Sequence, residues 1–370
     1  MIAIIGAGPA GGQAAYELAN AGEDVHVFED HPCVGEPVAC TGLLTKTVHE
    51  LLTKEELRSV LVNTLEAVDV IPPTGQPVRI PTHEYIVDRA GLDKMLMKKA
   101  QDAGATLHLH HRFVGRKGDE ILLRHNGAII RRKIDALVGA DGPRSDVAKS
   151  ASLYGRRQFY IGLQVTLTGS FDRNVFTTWF GEAAPDFFAW SVPETDSLAR
   201  VGLATRQRTR AYFDAFLKRL GGNVIATQAG PIPLYSPLAR ASDERERVFL
   251  VGDAALINKA TTGGGIIVGM RSGGILATSL LEETSYEAAL APLRRELGIH
   301  LLLRRALNHF AATDYDSLVG LMRNDAVRRI LTENTREDPS RFMLKLLAAQ
   351  PGLLRFAPKG LLGILHDKHF

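Results

Sequence analysis

Gly6, Gly8 and Gly11 follow the apolar run from Ile2 to Ile5 and open a helical pattern, and Glu29 closes the next apolar run, Val25 to Phe28. Residues of those types at that spacing could hold a dinucleotide. Gly6 permits a tight turn, Gly8 lets a pyrophosphate approach the backbone, and Gly11 lets the helix pack closely on the strand. Free N–H groups and the positive end of the helix dipole favour the anion. An acidic side chain about 20 residues past the glycines can accept hydrogen bonds from a ribose diol. Glu29 holds that place, and it favours the unphosphorylated adenosine ribose of FAD or NAD over that of NADP.

Two further turns of this kind follow. Ile134 to Ala140 reads as a strand running into Asp141-Gly142, and Arg247 to Val251 as another ending in Gly252-Asp253, with Gly263, Gly264 and Gly265 opening a long helical run. An aspartate at a strand end can accept a hydrogen bond from a polyol, and glycines opening a helix can hold a phosphate or a flavin edge. NAD competes for the first turn alone; three such turns move the weight to FAD. Cys33 and Cys40 are the only cysteines, too few for a disulfide scaffold or a cysteine zinc site. The histidines lack metal-ligand spacing, so no metal is expected, and no Gly-x-Ser-x-Gly nucleophile elbow occurs.

These turns need a parallel sheet to carry them. The pattern predicts one or two amphipathic helices over Leu43 to Leu61, two short extended pieces around Pro72-Pro73, and a helix from Asp88 to a C-cap at Gly104. Tyr160 to Thr205 is rich in β-branched and aromatic residues and reads as an antiparallel sheet, the natural substrate layer. Arg208 to Leu220 is helical, Pro231 to Pro237 returns the chain to the nucleotide unit, and the tail from Ala291 is helical and amphipathic. At 370 residues two or three units are expected. They are a discontinuous FAD-binding unit over 1–155 and 235–290, a β-sheet substrate unit over 156–234, and a C-terminal helical region over 291–370.

A hydrophobic fraction of 45% is that of an ordinary soluble protein, and a net charge of +3 argues against nucleic acid as a partner. The positive excess lies in the tail, as a solvated helical surface or an attraction to anionic lipid. The first strand leaves no room for a signal peptide and no apolar run reaches the ~18 residues of a span. The expected location is cytoplasmic, with peripheral contact at the membrane face as an option.

The ordered set of turns resembles the FAD-dependent family typified by p-hydroxybenzoate hydroxylase. Within it, Gly35-Glu36-Pro37-Val38-Ala39-Cys40-Thr41-Gly42 is similar to the cysteine loop of the geranylgeranyl reductases. Pro185 to Pro193 is similar to their Pro-x-x-Tyr-x-Trp-x-Phe-Pro motif, with Phe188 in place of Tyr and Val192 in place of Phe. Gly252-Asp253-Ala254-Ala255 and the stretch from Lys259 to Ile266 are also close to their form, except that Leu256 stands where many relatives carry Gly. The likeness runs in order over about the first 280 residues.

What the resemblance implies is an α/β (α+β overall) fold: a glutathione-reductase-type Rossmann FAD domain, an inserted antiparallel β-sheet substrate domain and a C-terminal helical region. Gly6, Gly8, Gly11 and Glu29 would hold the ADP part of FAD, and Arg89 would reach the cofactor as well. Asp141 and Gly142 form the second cofactor turn. Asp253 would bind the ribityl and phosphate region, with Gly263, Gly264 and Gly265 near the isoalloxazine. Cys40 would lie near the flavin and the reacting alkene, with Phe188, Trp190 and Pro193 lining a prenyl pocket. The implied reaction saturates carbon–carbon double bonds of geranylgeranyl chains, in glycerophospholipids of archaeal type, by hydride from reduced flavin plus a proton. Cys40, or a water it orients, is the candidate donor. The reductant would be external: NAD(P)H, a ferredoxin or a deazaflavin carrier. Two other readings stay open, a monooxygenase on the same fold and a non-catalytic prenyl-lipid binder with structural FAD.

Overall fold

The computed structural model describes residues 1–366 apart from residue 75. The last four residues of the expected C-terminal region, 367–370, lie outside the described residues. The chain opens with strand β1 (Ile2–Ile5), helix α1 (Pro9–Asn20) and strand β2 (Val25–Phe28). It continues through β3 (Leu43–Thr45), α2 (Lys54–Val60), β4 (Leu61–Ile71), β5 (Val78–Val87) and α3 (Arg89–Asp102). Then come β6 (Thr106–His108), the meander β7 (Arg112–Lys117), β8 (Glu120–His125) and β9 (Ala128–Lys133), and β10 (Ala136–Gly139) with α4 (Asp146–Ser150). Next are β11 (Phe159–Thr168), β12 (Val175–Trp179), β13 (Ala189–Pro193), β14 (Leu198–Thr205), α5 (Thr209–Leu220) and β15 (Val224–Pro233). The chain closes with β16 (Ser242–Asp243), β17 (Val248–Leu250), α6 (Ile266–Leu281), α7 (Tyr286–Ala289), α8 (Ala291–Asn308), α9 (Ala312–Leu321), α10 (Asp325–Glu333), α11 (Ser340–Ala349) and α12 (Ala357–His366).

The nucleotide-type strands form a six-stranded sheet in the order β16-β17-β10-β1-β2-β6. Only its edge strand β16 runs antiparallel to its neighbour. Every residue of β1 is buried, which explains why Ile2 to Ile5 is uniformly apolar rather than alternating. Small residues set how closely α1 can approach. A Cβ on Gly11 would lie 2.2 Å from the Gly6 carbonyl oxygen, and one on Gly273 of α6 2.5 Å from that of Ala10.

A second, eight-stranded sheet has the order β15-β11-β14-β13-β12-β4-β5-β3. Phe213 and Phe216 of α5 cover one part of it by packing on Val165, Leu167, Val201 and Leu203. Val319 of α9 packs on Val70, Val78 and Ile80 at another. Burying one such side chain contributes about 1.5–3 kcal/mol, so sheet and C-terminal helices stabilise each other.

Three expectations are corrected here. Leu43 to Thr45 is not helical but pairs with β5, followed by a 3-10 turn over Lys46–Glu50. Helix begins only at α2, where Thr53 and Glu56 form a reciprocal capping box. The extended pieces around Pro72-Pro73 are not short: β4 and β5 have 11 and 10 residues. With β3 they join the sheet expected from residues 156–234 alone. Nor is that sheet wholly antiparallel, since β12 pairs with β4 in parallel, Val175 opposite Ala67 through Trp179 opposite Ile71.

Candidate functional site

The first turn leaves its helix uncapped. Gly6 has φ +105°, and a Cβ there would fall 2.4 Å from the Ala140 carbonyl oxygen. Gly8 is the N-cap of α1 with no side-chain cap, and Pro9 opens the helix, so the first-turn N–H groups are left for a ligand. A Cβ on Gly8 would meet nothing within 4 Å; the space above it is open, as an incoming pyrophosphate requires. Glu29 Oε2 accepts the Ala7 N–H at 2.9 Å, while Oε1 accepts the His31 N–H at 3.1 Å. Arg89 is turned on Asp93, with Nη atoms at 2.8 and 3.0 Å from its oxygens. Burial opposes the Arg89 charge, but Asp93 and the neighbouring Cys40 outweigh it.

The other two turns carry buried carboxyls. Asp141 Oδ2 accepts the Asp146 and Val147 N–H groups at 2.8 and 3.0 Å, so it satisfies the first turn of α4 alongside the N-cap Ser145. Its Oδ1 is buried with no partner among the described residues, and burial pushes the carboxyl up. Gly142 turns the chain at φ +74°. Burial pushes Asp253 up to about 6, against the pull of Arg157. A Cβ on Gly265 would stand 2.9 Å from Asp253 Oδ1, so only glycine leaves this carboxyl accessible. Arg157, which sequence reasoning missed, joins the two turns by donating to the carbonyls of Pro143 at 2.9 Å and Ala254 at 2.8 Å. Leu256 has φ +58°, a left-handed conformation that glycine adopts without penalty.

Cys40, Phe188, Trp190 and the turn Gly263 to Gly265 line one cavity of about 420 Å³. Phe176, Phe180, Val192 and Ile232 supply much of its apolar wall. Phe188 stacks on Phe187 at 4.5 Å between centroids. Pro193 does not line the cavity. It ends β13, where its carbonyl accepts from Asn63 Nδ2 at 2.9 Å, so the expected substrate contact is corrected to a structural one.

Gln164 had no motif to mark it, yet it organises this wall. Its Oε1 accepts from Thr41 at 2.6 Å and from Trp190 Nε1 at 2.9 Å, tying the cysteine loop to the aromatic strand. Arg304 of α8 is buried and donates to the carbonyls of Ala260 at 3.0 Å and Thr261 at 2.6 Å, bracing the approach to the glycine turn.

At one end the lining becomes charged through Lys259, Arg336 and Glu337. Lys259 pairs with Glu337 and Arg336 with Glu84. Burial lowers Lys259; burial also opposes ionisation of Glu337, but Lys259 and Arg336 outweigh it and hold that carboxyl below its usual range. Lys259 sat inside a recognised stretch and could have been found there. Glu337 and Arg336 come from the tail, where no local signal marks them.

A parallel nucleotide sheet whose glycine and aspartate turns open beside an apolar cavity under a second sheet defines a flavin-dependent oxidoreductase. The uncapped α1, the open space at Gly8 and the orphaned Asp141 oxygen fit FAD. The chain belongs to the FAD-binding domain family, which matches residues 79–293; residues 4–41 match the NAD(P)-binding Rossmann-like domain. It is similar to digeranylgeranylglycerophospholipid reductase of Methanocaldococcus jannaschii, at 26% identity over 96% of this chain and 96% of that one. To chloroplastic geranylgeranyl diphosphate reductase of Nicotiana tabacum it is 31% identical over 76% of this chain and 66% of that one. The crystal structure of a geranylgeranyl bacteriochlorophyll reductase-like protein from Thermoplasma acidophilum shares the fold, with TM-score 0.81 and 22% identity over 97% of this chain and 98% of that one.

Proposed function

We propose that this chain is an FAD-dependent reductase that saturates carbon–carbon double bonds of geranylgeranyl chains, those of archaeal-type glycerophospholipids in the first place. One observation carries the reading: an apolar, aromatic cavity runs from the cysteine loop to the glycine turn where the flavin is expected. The likeness to named reductases supports it. Bound FAD, once reduced, supplies the hydride.

The chain's own residues have three tasks. Phe188 and Trp190 hold a flexible prenyl chain against the cofactor side and exclude water. Their ring faces also tolerate positive charge developing at a substituted alkene carbon. Cys40 is the candidate proton source: its Sγ accepts the Gly42 N–H at 3.3 Å, which fixes the thiol in the loop. Gln164 keeps that loop and Trp190 in register.

The reductant is an external carrier, NAD(P)H, ferredoxin or deazaflavin, and the basic tail offers peripheral contact with the membrane where such lipids reside. Among the described residues no helix is long and apolar enough to cross a membrane.

The test is anaerobic incubation of the reduced holoprotein with a geranylgeranyl glycerophospholipid, read by mass spectrometry. A gain of about 2 mass units per saturated bond is expected. No gain with a reducible flavin, together with an oxygen-dependent product in air, would replace the reductase with a monooxygenase.

A further inference from the structure

The charged end of the cavity has no part in that reading, and its chemistry is specific. Lys259 and Glu337 are 5% and 1% exposed, and Lys259 Nζ contacts Glu337 Oε1. Thr45 Oγ1 donates to the same oxygen at 3.0 Å. Glu337 Oε2 is buried and has no partner among the described residues. An ammonium has three donors, and among the described residues Glu337 is the only acceptor for this one. Both residues border the cavity, and their pair leaves one acceptor and donors of the ammonium without partners among the described residues, within the wall rather than on its surface. A buried ion pair left incomplete in this way is unfavourable unless something else completes it.

The position of the pair narrows what completes it. Lys259 folds over the glycine turn: a Cβ on Gly264 would lie 2.8 Å from its Cε and 3.2 Å from its Nζ. Arg336 is balanced by Glu84, so this end of the cavity carries no net charge. A phosphate group offers acceptors only and would meet the free Glu337 oxygen with repulsion. A prenyl chain offers neither donor nor acceptor. A ligand edge with an N–H beside a C=O satisfies both residues at once, and the isoalloxazine has one in its imide. We propose that Lys259 and Glu337 together receive this imide edge, the ring N–H donating to Glu337 Oε2 and an adjacent ring carbonyl accepting from the Lys259 ammonium. The segment between α10 and α11 is thereby part of the flavin site, and the ring is oriented from the C-terminal region.

This assignment rests on FAD and not on the prenyl substrate, so its test contains no lipid. Apoprotein is titrated with FAD and with FAD methylated at the imide nitrogen, following flavin fluorescence, and the midpoint potential of each complex is recorded. The wild type is expected to bind the methylated cofactor at least about 10-fold more weakly, as loss of a charge-assisted hydrogen bond implies. In Glu337→Gln, Lys259 keeps the amide oxygen and the NH₂ is turned toward the ring N–H. That variant should bind FAD more weakly and lose most of the discrimination. Lys259→Met should lower the midpoint potential by removing positive charge from beside the electron-rich reduced ring. Glu84→Gln loosens the neighbouring pair and should weaken both cofactors alike, keeping their ratio. Equal affinities of the wild type for the two cofactors overturn the proposal without any variant, and so does a Glu84→Gln protein that loses the ratio as Glu337→Gln does.

Discussion

Gly8 and Gly11 belong to one motif but part company on mutation. Gly11→Ala places a methyl 2.2 Å from the backbone oxygen of Gly6, and a backbone clash of that kind should cost the apoprotein more than about 2 kcal/mol. Gly8→Ala meets open space. It should leave apoprotein unfolding within about 0.5 kcal/mol of wild type while weakening FAD about 10-fold or more, since the methyl stands where phosphate must approach the helix start. Thermal unfolding and flavin titration of the two variants separate the tasks. Asp253 gives a pH signature. Its carboxyl is pushed up to about 6 in the cofactor-free chain, and a polyol hydroxyl donates more strongly to the ionised form. FAD affinity should therefore rise with pH through about 6, level off above it, and lose this dependence in Asp253→Asn. The residues of these turns are legible in sequence because a turn's demands are local. Glu337 is not, because it takes its meaning from a partner far along the chain.

At the scale of elements, the pairing of β2 with β6 joins imidazoles that the sequence scatters. His26 Nδ1 and His108 Nε2 are 2.9 Å apart, and His108 stacks on Phe28 at 4.7 Å. Further along, His111 stacks on His125 at 4.1 Å. Burial, then His26 and His111, push His108 down to about 4. The unfolded chain takes up that proton near the ordinary pKa of about 6.5, so stability is lost as pH falls from there toward about 4. Allowing for the partly exposed ring, the loss should be about 1–2 kcal/mol. Urea unfolding at pH 7 and pH 5 should show it, with a smaller difference in His108→Gln. No spacing in the sequence marks this row, because strand register creates it. The same reason hid the extent of the second sheet: β4 alternates as a strand should, but its partner β12 lies far along the chain, and periodicity reveals an element without naming its neighbour. Helices needed no neighbour to be seen, and α3 and α5 stand close to where the pattern put them.

Over the whole molecule, the question is what makes the C-terminal region part of the enzyme rather than a cover. The tail's helical character is legible from its periodicity; its attachment is not, because it depends on single polar residues in the link between α10 and α11. That link is fastened to every layer it crosses. Thr335 meets Thr47 at 3.1 Å, Arg336 reaches Glu84 Oε2 at 2.6 Å, and Asp338 accepts from Arg271 of α6 at 3.0 Å. Ser340 donates its N–H to Glu296 of α8 at 3.0 Å. Glu84 is the vulnerable member, being 3% exposed on β5. Arg336→Ala leaves its carboxylate buried without its cation, a defect that costs about 3–5 kcal/mol in a fully buried pair and here, with Arg336 half-buried, should fall at the lower end. The expected result is localised. Limited proteolysis should cut the variant between α10 and α11 while the six-stranded sheet persists, and FAD should bind more weakly because Glu337 is carried on the same link. A variant that resists protease as the wild type does, with unchanged FAD affinity, would mean that the link is held by its remaining contacts and that the Arg336–Glu84 pair adds nothing to the site.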